Sequence, residues 1–349
     1  MQFQYETLAG RVLFGVGVVA RLGDELDRLG TTRALAIASQ RAAGELAGRL
    51  GTERCAGVHT GVAEHVPVEA AAAAREAAGR AGADCLVAMG GGSAIGLAKA
   101  VALELDLPIV AVPTSYSGSE MTPIYGLTSR QGKRTGRDRR VLPRVVLYDP
   151  ELTVGLAPRV SGSSGMNALA HCVEALYGPG ANPVTALSAL EGTRALARGL
   201  PVAVSRPDDL DGRTDALYGA HLGGASLAVA GVAIHHQLCH VLGGTFGLPH
   251  ADLNAVVLPH AARFVSDAVP AELAQVARAL GAEEAATGLY DFARRLGTPS
   301  SLAELGMAEG DLERAAELAV TAVARAPRPA GIEDMHALLR DAFQGRRPG

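Results

Sequence analysis

"CLVAMGGGSAIGLAKA", Cys85–Ala100, reads as a buried strand, a glycine-rich turn and a helix in direct succession. A short apolar run ended by glycine suits a strand covered on both faces. Gly90, Gly91 and Gly92 let the backbone come close to a ligand, and Ser93 is the expected cap of the following helix. The first N–H groups of such a helix lack helical partners and attract phosphate. The turn is neither GxGxxG nor a P-loop, so the glycines alone leave an unliganded turn an equal reading. A second element tips the balance. "VPTSYSGSEMTP", Val112–Pro123, closes the next strand with Thr114, Ser115, Ser117 and Ser119. Ligands of open parallel sheets bind beyond the carboxyl ends of the strands. Together these residues predict a nucleotide phosphate site at Gly91, Gly92, Ser93, Thr114, Ser115 and Ser117.

The same alternation extends outward from this unit. "ALAIAS" (Ala34–Ser39) is a strand followed by the helical "QRAAGELAGRLG", and "VPVEAAAAAREAAGRAGAD" is a helix with Pro67 near its start. "PIVAVPTS" and "VVLYDP" add two further strands. Strands alternating with helices predict a Rossmann-like parallel sheet over residues 1–155. Beyond Asp149–Pro150 the strand signal fades. Long amphipathic or apolar helical segments predict an all-α domain over 156–349, with the site expected in the cleft between the two. At the end of the first clear strand, Ser39 and Gln40 stand where such folds often carry an acidic residue for the ribose. Without that carboxylate, and with Arg41 nearby, the chain should accept both NADH and NADPH.

Composition narrows the function classes. The 349 residues are 48% hydrophobic and 19% charged, as expected of a well-buried globular protein. A net charge of −4 gives no general attraction to nucleic acid or anionic membrane. Four dispersed cysteines form no CxxC pair, the usage of a reduced cytoplasmic protein. No signal peptide or membrane-spanning run is visible.

"IHHQLCHVLGGTFGLPH", Ile234–His250, holds four of the ten histidines: His235, His236, His240 and His250. Imidazoles four residues apart share a helix face, an arrangement suited to a metal cage or a proton-handling pocket. "GMNALAHCVEALY", Gly165–Tyr177, sets Asn167, His171 and Glu174 at helical spacing. Glu174 is either an orienting partner for an imidazole or a surface charge. His235, adjacent to His236, must point about 100° away around the helix, and is expected to pack or face a partner. His59, His65, His221 and His336 read as ordinary structural histidines, and so does His260.

These motifs, with "LFGVG" (Leu13–Gly17), "GGGS" and "PTS…SEMT", resemble the iron-containing alcohol dehydrogenases and their dehydroquinate synthase-like fold. In that superfamily an Asp and three His hold a divalent metal. The matching positions here are Asn167, His171, His236 and His250, with His240 as a proton-relay histidine. Asn167 removes the only anionic ligand, which leaves a poor cage for a dication. "GSEMTPIYGLT", "GKRTGRDRRVLPRVVLYDPELT", "HHQLCHVLGG" and "FQGRRP" are closer still to the maleylacetate reductase family. That resemblance implies NADH- or NADPH-dependent reduction of the conjugated C=C of maleylacetate to 3-oxoadipate in aromatic-compound degradation, without metal, by a homodimer. His240, His236 and His250 are then the candidate catalytic groups, with His171 and Asn167 as polar lining. Tyr116, Lys133, Arg134 and Arg137 are candidates for the anionic substrate. The chain departs from the family at Gln237, where lysine is usual, and at Leu253 and Asn254 in "PHADLNA". These departures leave open another enone or ketone substrate. Beside the reductase reading stand a metal-dependent alcohol dehydrogenase, a lyase-type relative and a non-catalytic binding protein. The N-terminal "QFQYETLAGRVLFG" is expected to add an edge strand to a partner.

Overall fold

The computed structural model describes the chain except residues 1, 4, 7, 9, 130, 131, 324 and 325, and of Lys133 it describes the backbone alone. Contacts divide the chain into Leu8–Gly155 and a unit built on Leu156–Gly349. The first unit runs β1 (Arg11–Phe14), α1 (Leu22–Leu29), β2 (Ala34–Ala38), α2 (Gln40–Arg54), β3 (Cys55–His59), α3 (Val68–Ala81), β4 (Cys85–Gly90), α4 (Gly92–Leu105), β5 (Ile109–Pro113), β6 (Ile124–Ser129), β7 (Gly132–Arg137) and β8 (Val145–Tyr148). Six strands form one parallel sheet in the order β1-β8-β5-β4-β2-β3, while β6 and β7 form an antiparallel hairpin. Every residue of β2 and β5 is buried, because helices cover both faces. Leu22, Leu26, Leu46, Leu50, Val87, Met89, Val110 and Val112 make one of the resulting cores. From β2 the chain turns to β3 on one side and then returns to place β4 on the other. This reversal creates the crevice in which doubly wound sheets bind ligands, flanked here by Ser39 after β2 and the glycines after β4.

The second unit is helical, as expected: α5 (Pro158–Ala175), α6 (Pro183–Ser205), α7 (Leu210–Ala230), α8 (Ile234–Phe246), α9 (His250–Val265), α10 (Pro270–Leu280), α11 (Ala285–Arg295), α12 (Leu312–Ala322) and α13 (Ile332–Gln344). Ser161–Ala175 of α5 are all buried. Gly192 of α6 and Gly223 of α7 allow both helices to close on Cys172, since a Cβ at either would sit 2.8 and 3.0 Å from its Sγ. This packing fixes the helix that carries Asn167, His171 and Glu174. The basic tail is docked: Arg347 makes a two-pronged ion pair with Asp291 at 2.9 and 2.6 Å. All four cysteines are free. Among the described residues no single helix is long and apolar enough to cross a membrane.

One expectation is corrected: the cap of α4 is Gly91, and Ser93 lies inside the first turn. Within the N-terminal segment, β1 pairs with β8 and forms one edge of its own sheet. Two elements went unread in the sequence: the β6–β7 hairpin, and β3, the other edge strand.

Candidate active site

The predicted phosphate-binding residues converge at the carboxyl ends of β4 and β5. Gly91 caps α4 without any side-chain hydrogen bond, so the first N–H groups of the helix remain free to take an anion. The glycines let the serine loop pack close to the turn. A Cβ on Gly91 would lie 2.9 Å from Ser115 Oγ, and one on Gly92 3.3 Å from Ser117 Cβ. The Thr114 N–H donates to the Gly90 carbonyl at 3.0 Å, tying the hydroxyl-rich loop to the glycine turn. Ser39 caps the start of α2 without a side-chain bond, and Ser39, Gln40 and Arg41 are exposed, with no acidic residue among them.

The imidazoles gather in the helical unit. His171 and His236 stack with ring centres 4.9 Å apart and planes 20° from parallel. His240 lies 6.4 Å beyond His236, and His250 stacks on His240 at 6.0 Å. The file runs from buried to wet: His171 and His236 are buried, His250 is half-buried and His240 is exposed. Asn167, one turn before His171 on α5, is buried as well.

Glu174 organises the start of α8. Fully buried, it accepts the His235 N–H at 2.7 Å, the His236 N–H at 3.4 Å and the His236 ring at Nδ1 at 2.7 Å. It thereby satisfies helix N–H groups that have no cap of their own. Burial pushes its pKa up, opposed chiefly by His235 and these N–H groups. The adjacent ring of His235 touches the Asn254 carbonyl through Nε2 at 3.1 Å and His236 Nδ1 through its own Nδ1 at 3.2 Å. A carbonyl only accepts, so His235 carries its proton on Nε2 and its Nδ1 is bare. His236 Nδ1 therefore holds a proton, shared toward Glu174, and His236 Nε2 is left as a lone pair. That nitrogen is buried and has no partner among the described residues. Burial holds His171 and His236 well below their ordinary pKa and lowers His235 to about 3, so all three are neutral at physiological pH. The sequence left Glu174 and His235 ambiguous; both now have definite partners.

Other expected residues fall differently. Tyr116 is fully enclosed, so its ring serves the loop core and presents nothing to a substrate. Arg134 and Arg137 are exposed on β7, and the Lys133 side chain lies outside the described residues. Leu253 and Asn254, read as substrate-altering, are fully buried in α9. Leu253 faces Gly243, and Asn254 donates from Nδ2 to the His250 carbonyl at 2.6 Å. Asn254 also accepts from the His235 ring through its backbone carbonyl at 3.1 Å, which places it against the histidine file. Gln237 is half-buried.

Two residues went unread in the sequence. Lys99 and Glu120, both buried, sit behind the phosphate loop. A single lysine inside the apolar run "AIGLAKAVAL" was the available signal.

The resemblance to iron-containing alcohol dehydrogenases implies a metal, and a dication favours donor sets that include an anionic ligand. Asn167, His171, His236 and His250 contribute only neutral donors. Among the described residues the one compact group of ligand-type atoms is Glu174, His235 and His236. Its carboxylate is already committed to three N–H groups, and one imidazole to a carbonyl. Short of a carboxylate, the set of Asn167, His171, His236 and His250 is a weaker cage for a dication than one with an anionic ligand, while His171 Nδ1 and His236 Nε2 stand buried without hydrogen-bond partners among the described residues.

Residues 9–150 match the iron-containing alcohol dehydrogenase family, and 161–343 match the C-terminal part of the Fe-containing alcohol dehydrogenase family. Maleylacetate reductase of Burkholderia cepacia is 49% identical, with 99% of each chain covered. Maleylacetate reductase 2 of Cupriavidus pinatubonensis is 51% identical over 97% of this chain and 96% of its own. The crystal structure of maleylacetate reductase from Agrobacterium tumefaciens superposes with a TM-score of 0.96 at 46% identity, covering 100% of both chains.

Proposed function

The chain belongs to the iron-containing alcohol dehydrogenase family, and from that premise we propose a maleylacetate reductase that works through imidazoles without a metal ion. It reduces the conjugated C=C of maleylacetate to 3-oxoadipate with NADH or NADPH. Near-50% identity along the whole chain to reductases of that name selects the substrate. The observation that carries the metal-free chemistry is the buried Glu174–His236 pair beside Asn167.

The free N–H groups at the start of α4, with Thr114, Ser115 and Ser117, hold the nucleotide phosphates. The bound nicotinamide supplies a hydride to the alkene carbon remote from the ketone. Negative charge then collects on the ketone oxygen and calls for N–H donors. The carbon next to the ketone must gain a proton, which completes addition of one hydride and one proton across the double bond. His236 is neutral with a bare Nε2, so it is not the donor; in this scheme that lone pair favours the protonated form of His240, the next ring in the file, and an N–H in its place would oppose it. His240, exposed and stacked on His250, takes protons from water and is the proton donor in this scheme. His171 and Asn167 complete the polar lining. Arg137, exposed on β7, is the group proposed to meet a substrate carboxylate. The absence of an acidic residue among Ser39, Gln40 and Arg41 supports acceptance of either nucleotide.

The test uses maleylacetate with each nucleotide deuterated at the transferring carbon. Both nucleotides should be oxidised in step with formation of 3-oxoadipate carrying deuterium on a former alkene carbon. Product with an intact C=C and a new hydroxyl would make the enzyme a carbonyl reductase. No turnover by folded, NADH-binding protein would move the search to other enones.

A further inference from the structure

We infer that Lys99 and Glu120 are positioning residues for the nucleotide site, holding the hydroxyl-bearing loop Thr114–Thr122 against the glycine turn. Lys99 lies on α4, two turns beyond Gly92, and is fully buried. Its Nζ donates to the carbonyls of Ser119 at 2.6 Å, Thr122 at 2.7 Å and Ile124 at 2.9 Å, and reaches Thr122 Oγ1 at 3.1 Å. Only an ammonium has three protons for these acceptors; a neutral amine would leave buried carbonyls unsatisfied. Burial lowers its pKa to about 7, opposed by the Glu120 charge.

Glu120 grips the same loop from the other side. Fully buried, it accepts the Tyr148 O–H at 2.7 Å, at the end of β8, and the Ser117 O–H at 3.4 Å. Ser117 is the residue packed against Gly92, and Ser115 is packed against Gly91. The loop is thus tied to β4 through Thr114, to β8 through Glu120 and to α4 through Lys99. Burying an ammonium and a carboxylate is costly, and an apolar side chain would fill the Lys99 site. What the charges secure is the placement of two serines over the N-terminus of α4. The inference rests on that terminus being the nucleotide site.

Lys99→Met keeps length and removes the donor. Measured by NADH binding and steady-state kinetics, Kd and KM for NADH should rise about tenfold to a hundredfold. At saturating NADH, kcat and KM for maleylacetate should stay near those of the parent enzyme. Glu120→Ala should reproduce this split, and Glu120→Gln, which still accepts the Tyr148 O–H, should recover most of the loss. Tyr148→Phe, which removes one hydroxyl, carries the test if Lys99→Met does not fold: NADH KM should rise severalfold with kcat held. An unchanged NADH KM in a folded Lys99→Met or Tyr148→Phe protein overturns the inference. So does a loss confined to kcat. A parent enzyme that binds no NADH overturns the nucleotide reading itself, a distinct result.

Discussion

Glu174→Gln should fold and bind NADH while losing turnover by a factor of about 10² to 10⁴, the scale at which a wrong histidine tautomer disables a catalytic triad. The carboxylate now accepts three N–H groups. Two of them are backbone amides, which cannot reverse direction, so a glutamine oxygen must stay on that side. Its NH₂ then faces His236 Nδ1 and turns that nitrogen into an acceptor. The ring proton moves to Nε2, and the lone pair now buried there disappears. The exchange keeps volume, so the effect is on chemistry more than on packing. Nitrogen NMR of the histidine rings reads the outcome: the protonated nitrogen of His236 should change from Nδ1 to Nε2. Parental turnover in a variant with the switched tautomer would remove the Glu174–His236 pair from the mechanism.

His240→Ala is the second large effect. His171, His235 and His236 are held neutral by burial, while His240 is exposed within the same file of rings. It is the imidazole best placed to load a proton from water and pass it inward. Removing a positioned general acid costs about 10² to 10⁴ in rate. Turnover should fall by that factor with NADH affinity unchanged, because the nucleotide residues lie in the other unit. Parental turnover would reassign the proton to His250.

The sequence made the architecture readable where patterns are strong. β2, β4 and β5 are apolar runs buried on both faces, and α5–α8 are long enough to declare themselves. β3 and the β6–β7 hairpin were hidden because "CAGVH" is short and "GKRTGR" is polar; tertiary pairing, not propensity, makes them strands. Serine is the usual cap, but here the cap is Gly91, packed close to the Ser115 hydroxyl, and Ser93 is the second residue of the helix. Spacing grouped His171, His236, His240 and His250 as candidates, and their rings lie in one file. Spacing does not tell which face of α9 is buried, and Leu253 and Asn254 both lie on that face. Nor does it tell whether a charge such as Glu174 or Lys99 is in water or in the core, and that difference decides what each can do.

Turnover of maleylacetate by enzyme freed of metal with a strong chelator, its metal content verified, tests the central claim most directly. NADH oxidation should proceed at the full rate in the chelator and should not rise when zinc, iron(II) or manganese is returned. Loss of turnover on chelation with recovery on return of one of these ions would contradict it. Asn167, His171, His236 and His250 would then have to be read as a working cage.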